Sequence, residues 1–257
     1  MYPNLLGIPF LHTYGVMMAL GFLVSLTLVE KLFKRPDLSN LAIAMIVSGV
    51  IGSRLAYVIE HWSSEFAAKP IKVLYLFEGG LMFYGGLILA VAVFIGWCIW
   101  KKESILDLGN MGTTVVPIAH AFGRIGCFCY GCCYGKVSHS AWAVLFPVGS
   151  PQYFMSGGVR EPVLPTQLFE AAALLILFAI LMVIYLKYKR YTAGIYFMGY
   201  AVIRFGLEYL RGDPRAAVWI FSISQTISIG MFALGLILLL VDLKGRAGAP
   251  RTPEAQK

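Results

Sequence analysis

The chain is predicted to be an all-α integral membrane protein with about seven transmembrane helices, N-terminus outside and C-terminus cytoplasmic. Three observations carry this. Hydrophobic residues make up 59% and charged residues 13% of the sequence, with a mean hydropathy of +0.76. An ordinary soluble domain has about 45–50% apolar and about 25% charged residues, and 257 residues cannot hide that excess inside a globule. Apolar runs recur at the roughly 20-residue length that crosses a bilayer. Lys and Arg gather in alternate connections, as the positive-inside rule requires.

The first span, 14–33, begins at Tyr14 and is followed by Lys31, Lys34 and Arg35. No basic leader and no small-residue cleavage site mark it as a signal peptide, so it is expected to stay. The second, 41–60, carries Arg54 in its later half. The third, 81–100, starts among the paired glycines of FEGGLMFYGG, contains Tyr84, and leads to Lys101 and Lys102. The glycines fit either close helix packing or an irregular segment lining an outward cavity. The fourth, 112–132, is interrupted by Arg124 and ends in GRIGCFCYGCCYGK.

The longest connection, 134–166, is expected outside and structured, because its prolines and glycines are interleaved with Trp142, Val144, Leu145 and Phe146. The fifth span, 168–186, precedes Lys187, Lys189 and Arg190; the sixth, 194–211, holds Arg204 and Glu208; the seventh is 219–241. Residues 1–243 are taken as a single transmembrane helical domain and 244–257 as a disordered cytoplasmic tail. A net charge of +8 comes from small basic groups between apolar runs. That distribution excludes nucleic acid as the partner and fits topology.

Arginines at bilayer depth cost at least about 2.5–3.5 kcal/mol, so they mark cavities or pathways. Arg54, Arg124, Arg204 and Glu208 lie late in outward-running spans, and Tyr14 and Tyr84 early in inward-running ones. All six are therefore expected toward the outer leaflet. Arg204 and Glu208 share a helix face at i, i+4, which fits an ion pair as well as a site. Several guanidiniums at one depth point to an anionic ligand, and arginine grips phosphate by a bidentate fork. In a membrane the commonest such ligand is a phospholipid head group.

GGLMFYGG, GRIGCFCYGCCYGK, PTQLFE (165–170), RFGLEYLR (204–211) and the early His12-Thr13-Tyr14-Gly15 follow one another along the chain. In order and spacing this series resembles the bacterial prolipoprotein diacylglyceryl transferases over almost the whole length. The resemblance implies a multi-pass enzyme of the bacterial inner membrane, with its active site facing the outer leaflet. Such enzymes move the diacylglyceryl group of phosphatidylglycerol onto the lipobox cysteine of a prolipoprotein signal peptide. It implies catalytic roles for Arg124, Arg204, Glu208 and Tyr14, and substrate binding by Arg124, Gly135, Gln167 and Glu170; the shared depth of the buried polar residues adds Tyr84 to the first set and Arg54 to the second. No cofactor and no metal are implied.

The chain departs from the family pattern at three positions: Tyr84 stands where histidine is usual, Cys127 where asparagine is, and Cys132 where glutamate is. These departures keep open a divergent lipid-binding or thiol-redox membrane protein, or a transferase with another acceptor. Cys127, Cys129, Cys132 and Cys133 fit a disulfide, small packing residues, a thiolate activated by Arg124 or a metal site of unusual spacing.

Overall fold

The computed structural model describes residues 12–76, 79–213, 217–218 and 220–247. Its α-helices are α1 (Thr13–Phe33), α2 (Pro36–Glu60), α3 (Phe83–Lys101), α4 (Ile105–Tyr130), α5 (Pro151–Met155), α6 (Thr166–Tyr188), α7 (Thr192–Glu208) and α8 (Ile223–Ala247). A two-residue hairpin, β1 (Ala217–Val218) and β2 (Phe221–Ser222), precedes α8. Five helices, α1, α2, α3, α6 and α8, are long and apolar enough to cross a membrane. Ile59, Ile88, Ile99, Ile176, Val183 and Ile237 stand more than half exposed on them. Apolar surface on that scale needs lipid around it, so the chain is a multi-pass membrane protein. The remaining long helices, α4 and α7, are those that carry Arg124, Arg204 and Glu208. Helix α8 runs to Ala247, so the expected tail is helical at its start; residues 248–257 lie outside the described residues.

The chain divides into two compact units, residues 26–108 and residues 1–25 with 109–257. The first is built on the α2–α3 hairpin. A Cβ on Gly52 would lie 2.5 Å from the Gly85 carbonyl oxygen, and one on Gly86 would strike Ser53. Glycine is required there because two backbones touch, which is how helices associate without a hydrophobic driving force. Arg35, just before α2, donates to Asp37 and to Glu103 beyond α3, tying the hairpin's far end. Lys101 sits over the rings of Trp97 and Trp100, an interfacial anchor of the kind that marks a membrane boundary.

The second unit packs α6 and α7 through Leu177, Leu181 and Tyr196, and α4 against α6 through Ala121, Ala171 and Leu174. One end is clasped by polar groups. Asp242 of α8 accepts from Asn110 Nδ2 at 2.9 Å, from Arg190 Nε at 2.9 Å and from the Tyr191 amide at 2.8 Å. Asn110 Oδ1 accepts the Ala193 amide at 2.8 Å. Two orphan amides at the start of α7 are thereby satisfied, and a carboxylate faces the positive end of its dipole.

The 134–166 connection is folded, as expected. Tyr134, Phe146 and Val163 form its core with Phe128. Val163 pairs with Val137 and Val144, and Ser150 caps α5 through the Tyr153 amide.

Candidate active site

Opposite the Asp242 clasp, four helix ends meet. Arg124 lies six residues before the end of α4, Glu170 four residues into α6, and Arg204 four residues before the end of α7. At 1.5 Å per residue these positions fall about 6–9 Å from their helix ends, within about one turn of common depth. Glu170 is 1% exposed. It accepts from Arg124 Nη2 at 3.0 Å and from the Tyr200 hydroxyl at 3.1 Å, and His120 Nε2 lies 3.9 Å away. Arg204 Nη2 pairs with Glu208 at 2.8 Å and donates to Ser224 Oγ at 2.9 Å. The charges of Arg124 and Arg204 both act on His120 and on Tyr200, so the two guanidiniums converge on one locus.

Each arginine is already matched by a carboxylate: Glu208 faces Arg204 as the i, i+4 spacing allows, whereas Glu170 reaches Arg124 from another helix. Among the described residues, however, Arg124 Nε and Arg204 Nη1 are buried without a hydrogen-bond acceptor. A buried unpaired donor costs about 1–3 kcal/mol, more when charged. Two such donors, on guanidiniums that both act on His120 and Tyr200, are suited to an anion that accepts from both.

Tyr14 adjoins this site. A Cβ on Gly126 would lie 3.0 Å from the Tyr14 ring, and the phenol feels the charges of Cys127, Cys132, Arg124 and Cys133. Gln167, fully buried, donates to the Cys132 carbonyl at 2.6 Å, so it shapes the loop after α4. Gly135 is a backbone crossing. Its amide donates to the Leu164 carbonyl, it bridges to Arg211, and a Cβ there would lie 2.8 Å from the Leu164 and Leu210 carbonyl oxygens. Arg211, the third basic position of the RFGLEYLR motif, forks onto Asp213 with both contacts at 2.7 Å.

Cys127, Cys132 and Cys133 have their sulfurs within 4.8 Å of one another, whereas Cys129 is not part of the group. The Cys127 and Cys132 thiols together with the Arg211 guanidinium hold Cys133 well below the ordinary thiol range.

Arg54 and Tyr84 belong to the other unit. Arg54 is buried, and its guanidinium donates to the carbonyls of Lys72, Val73, Gly79 and Gly80 while lying over the rings of Tyr57 and Phe66. It pins the segment entering α3, where Gly79 and Gly80 adopt φ of +88° and +73°. The two glycine pairs thus divide the two readings: 79–80 form an irregular entry, and 85–86 a packing surface. Tyr84 is 53% exposed and meets Phe83 edge-on.

The sequence reading missed His120, Tyr200 and Ser224. The first two had a signal: His120 stands four residues before Arg124 and Tyr200 four before Arg204, each one turn along the same face.

Residues 3–241 match the family model described as prolipoprotein diacylglyceryl transferase. The chain is 33% identical over 250 residues to phosphatidylglycerol–prolipoprotein diacylglyceryl transferase 2 of Clostridium perfringens, covering 92% of this chain and 93% of that protein. It is 31% identical over 245 residues to the phosphatidylglycerol–prolipoprotein diacylglyceryl transferase of Clostridium tetani, with 90% and 93% covered. With that of Shewanella oneidensis it shares 30% over 249 residues, with 90% and 88% covered.

Proposed function

The chain belongs to the prolipoprotein diacylglyceryl transferase family, and we propose that it transfers the diacylglyceryl group of phosphatidylglycerol to the lipobox cysteine of a prolipoprotein. The observation that carries this is the pair of buried unpaired donors, Arg124 Nε and Arg204 Nη1, on guanidiniums that converge. They are suited to the phosphodiester of one lipid head group. In the reaction the thiol sulfur forms a bond to the terminal glyceryl carbon of the diacylglycerol. The bond from that carbon to the phosphate oxygen breaks, and glycerol phosphate leaves with the electron pair. Fixed donors in a water-poor pocket stabilise that developing charge without reorganising, which is the main electrostatic contribution to such catalysis.

The thiol proton needs an acceptor. Tyr84 stands where the family pattern has histidine, but a phenol with a reference pKa near 10 is a poor base at neutral pH. His120 is the candidate that this site supplies: in its neutral form the ring has a free nitrogen that can accept the thiol proton, and its Nε2 lies 3.9 Å from the Glu170 carboxylate that would face the imidazolium. Glu170 and Tyr200 orient Arg124, and Glu208 and Ser224 orient Arg204. Tyr14 flanks the substrates, Gln167 and Gly135 hold the loop after α4, and Arg54 positions the irregular entry to α3.

In this reading α1 to α4 and α6 to α8 all cross the bacterial inner membrane, with the N-terminus outside and the site toward the outer leaflet. Supporting this, Lys187, Lys189 and Arg190 lie at the end of the second unit away from Arg124, where the positive-inside rule expects the cytoplasm. Purified protein in detergent should move label from glyceryl-labelled phosphatidylglycerol to a lipobox peptide and release glycerol phosphate. A serine-substituted peptide should receive none. Absence of transfer with folded protein would reject the reading in favour of a lipid-binding relative.

A further inference from the structure

The three-cysteine group is not explained by phosphate binding, and its construction is specific. Helix α4 ends in a Schellman motif: Gly131 adopts φ +85°, its amide donates to the Phe128 carbonyl at 3.2 Å, and the Cys132 amide donates to the Cys127 carbonyl at 3.2 Å. This cap brings the residue after the left-handed glycine over the residue five before it, so the spacing of Cys127 and Cys132 follows from the turn. Cys133, itself left-handed at φ +63°, then turns its thiol into the same space. The loop is locked from behind, because buried Gln167 donates to the Cys132 carbonyl and buried Thr166 to the Cys133 carbonyl at 2.9 Å.

We propose that Cys127, Cys132 and Cys133 form a thiolate site for one soft d10 cation, Zn(II) or Cu(I). A metal about 2.3 Å from each of three sulfurs requires sulfur–sulfur separations of about 3.8–4.0 Å. The observed separations, all within 4.8 Å, reach that by small side-chain rotations. Thiolates are the donors that select these metals. All three thiols are half-buried, so a cation can enter and a fourth position stays open to a small ligand. The guanidinium of Arg211 beside Cys133 offsets part of the negative charge of three thiolates. A disulfide would use two of these sulfurs and leave the third unmatched, whereas a cation uses all three.

The proposal stands apart from the transfer reaction, and its test reads metal binding directly. The full chain is purified in detergent under anaerobic, reducing conditions, stripped with a chelator, and given one equivalent of Zn(II) or of Cu(I). Iodoacetamide labelling is then followed at each cysteine by peptide mass spectrometry. One bound ion per chain is expected, with labelling of Cys127, Cys132 and Cys133 slowed at least tenfold and Cys129 unaffected. Protection in one arm alone identifies the metal. Cys132→Ser should weaken binding at least tenfold, and the wild-type protection pattern decides the matter should that variant not fold. Unchanged labelling in both arms, equal protection of Cys129, or a disulfide among the three in protein isolated without reductant would overturn the site.

Discussion

Arg124 of α4 is largely buried, and Glu170 stands 3.0 Å from one of its nitrogens. Removing one partner of a buried ion pair leaves an uncompensated charge, typically at about 3–5 kcal/mol. Arg124→Ala should therefore lower thermal stability in detergent as well as abolish transfer. Glu170→Gln keeps the shape and an acceptor oxygen, so it should fold but lose rate through a misplaced guanidinium. Calorimetry beside a rate measurement separates the two effects, and equal losses of stability in both variants would refute the positioning role of Glu170. The proton acceptor is tested by His120→Asn against Tyr84→Phe. The first should cost about 10²–10⁴-fold in rate, the usual worth of a general base, and the second much less; the reverse order would make Tyr84 the base. The arginines and the Arg204–Glu208 pair were legible in the sequence because i, i+4 spacing is local, and His120 and Tyr200 carry the same spacing although it was not used. The carboxylate facing Arg124 was not, because it comes from another helix and only folding brings it there.

At the scale of helices, each apolar run overlaps one of the seven long helices among the described residues, since a 20-residue apolar stretch has one stable conformation in lipid, but α4 begins seven residues earlier and α8 ends six residues later than expected. Their ends were less legible. Helix α7 stops at Glu208 and the chain turns to pair Gly135 with Arg211, a long-range bridge with no periodic signal. Nor was the cap of α4 read from GCFCYGCC, although its glycine placement is what gathers the thiols. The α2–α3 contact gives a graded prediction. Gly52→Leu should cost about 1–3 kcal/mol through overpacking, because its Cβ would meet the Gly85 oxygen at 2.5 Å. Gly49→Ala, whose Cβ would meet only the Gly86 oxygen at 3.9 Å, should be nearly neutral. Thermal unfolding of the two variants checks this, and equal tolerance would show that the helices do not touch there.

Across the whole molecule, polar groups are sorted between the two ends of the second unit: the Asp242 clasp at one and the paired arginines at the other. Basic residues in alternate loops predicted an orientation for that sorting. Alkaline phosphatase fused after residue 148 should be active outside the membrane, and fused after residue 189 inactive; the opposite pattern would place the pocket in the inner leaflet. What composition could not supply was the internal charge balance, because neutralising carboxylates contribute to net charge without revealing which arginine they face. Whether two guanidiniums grip one lipid phosphate is read out by lysine substitution, since it keeps the charge and removes the fork. The rate of label transfer from phosphatidylglycerol to a lipobox peptide should fall at least about 100-fold in folded Arg124→Lys and Arg204→Lys proteins, in line with loss of a preorganised donor. Wild-type rates in both would show that neither guanidinium fork holds the phosphate.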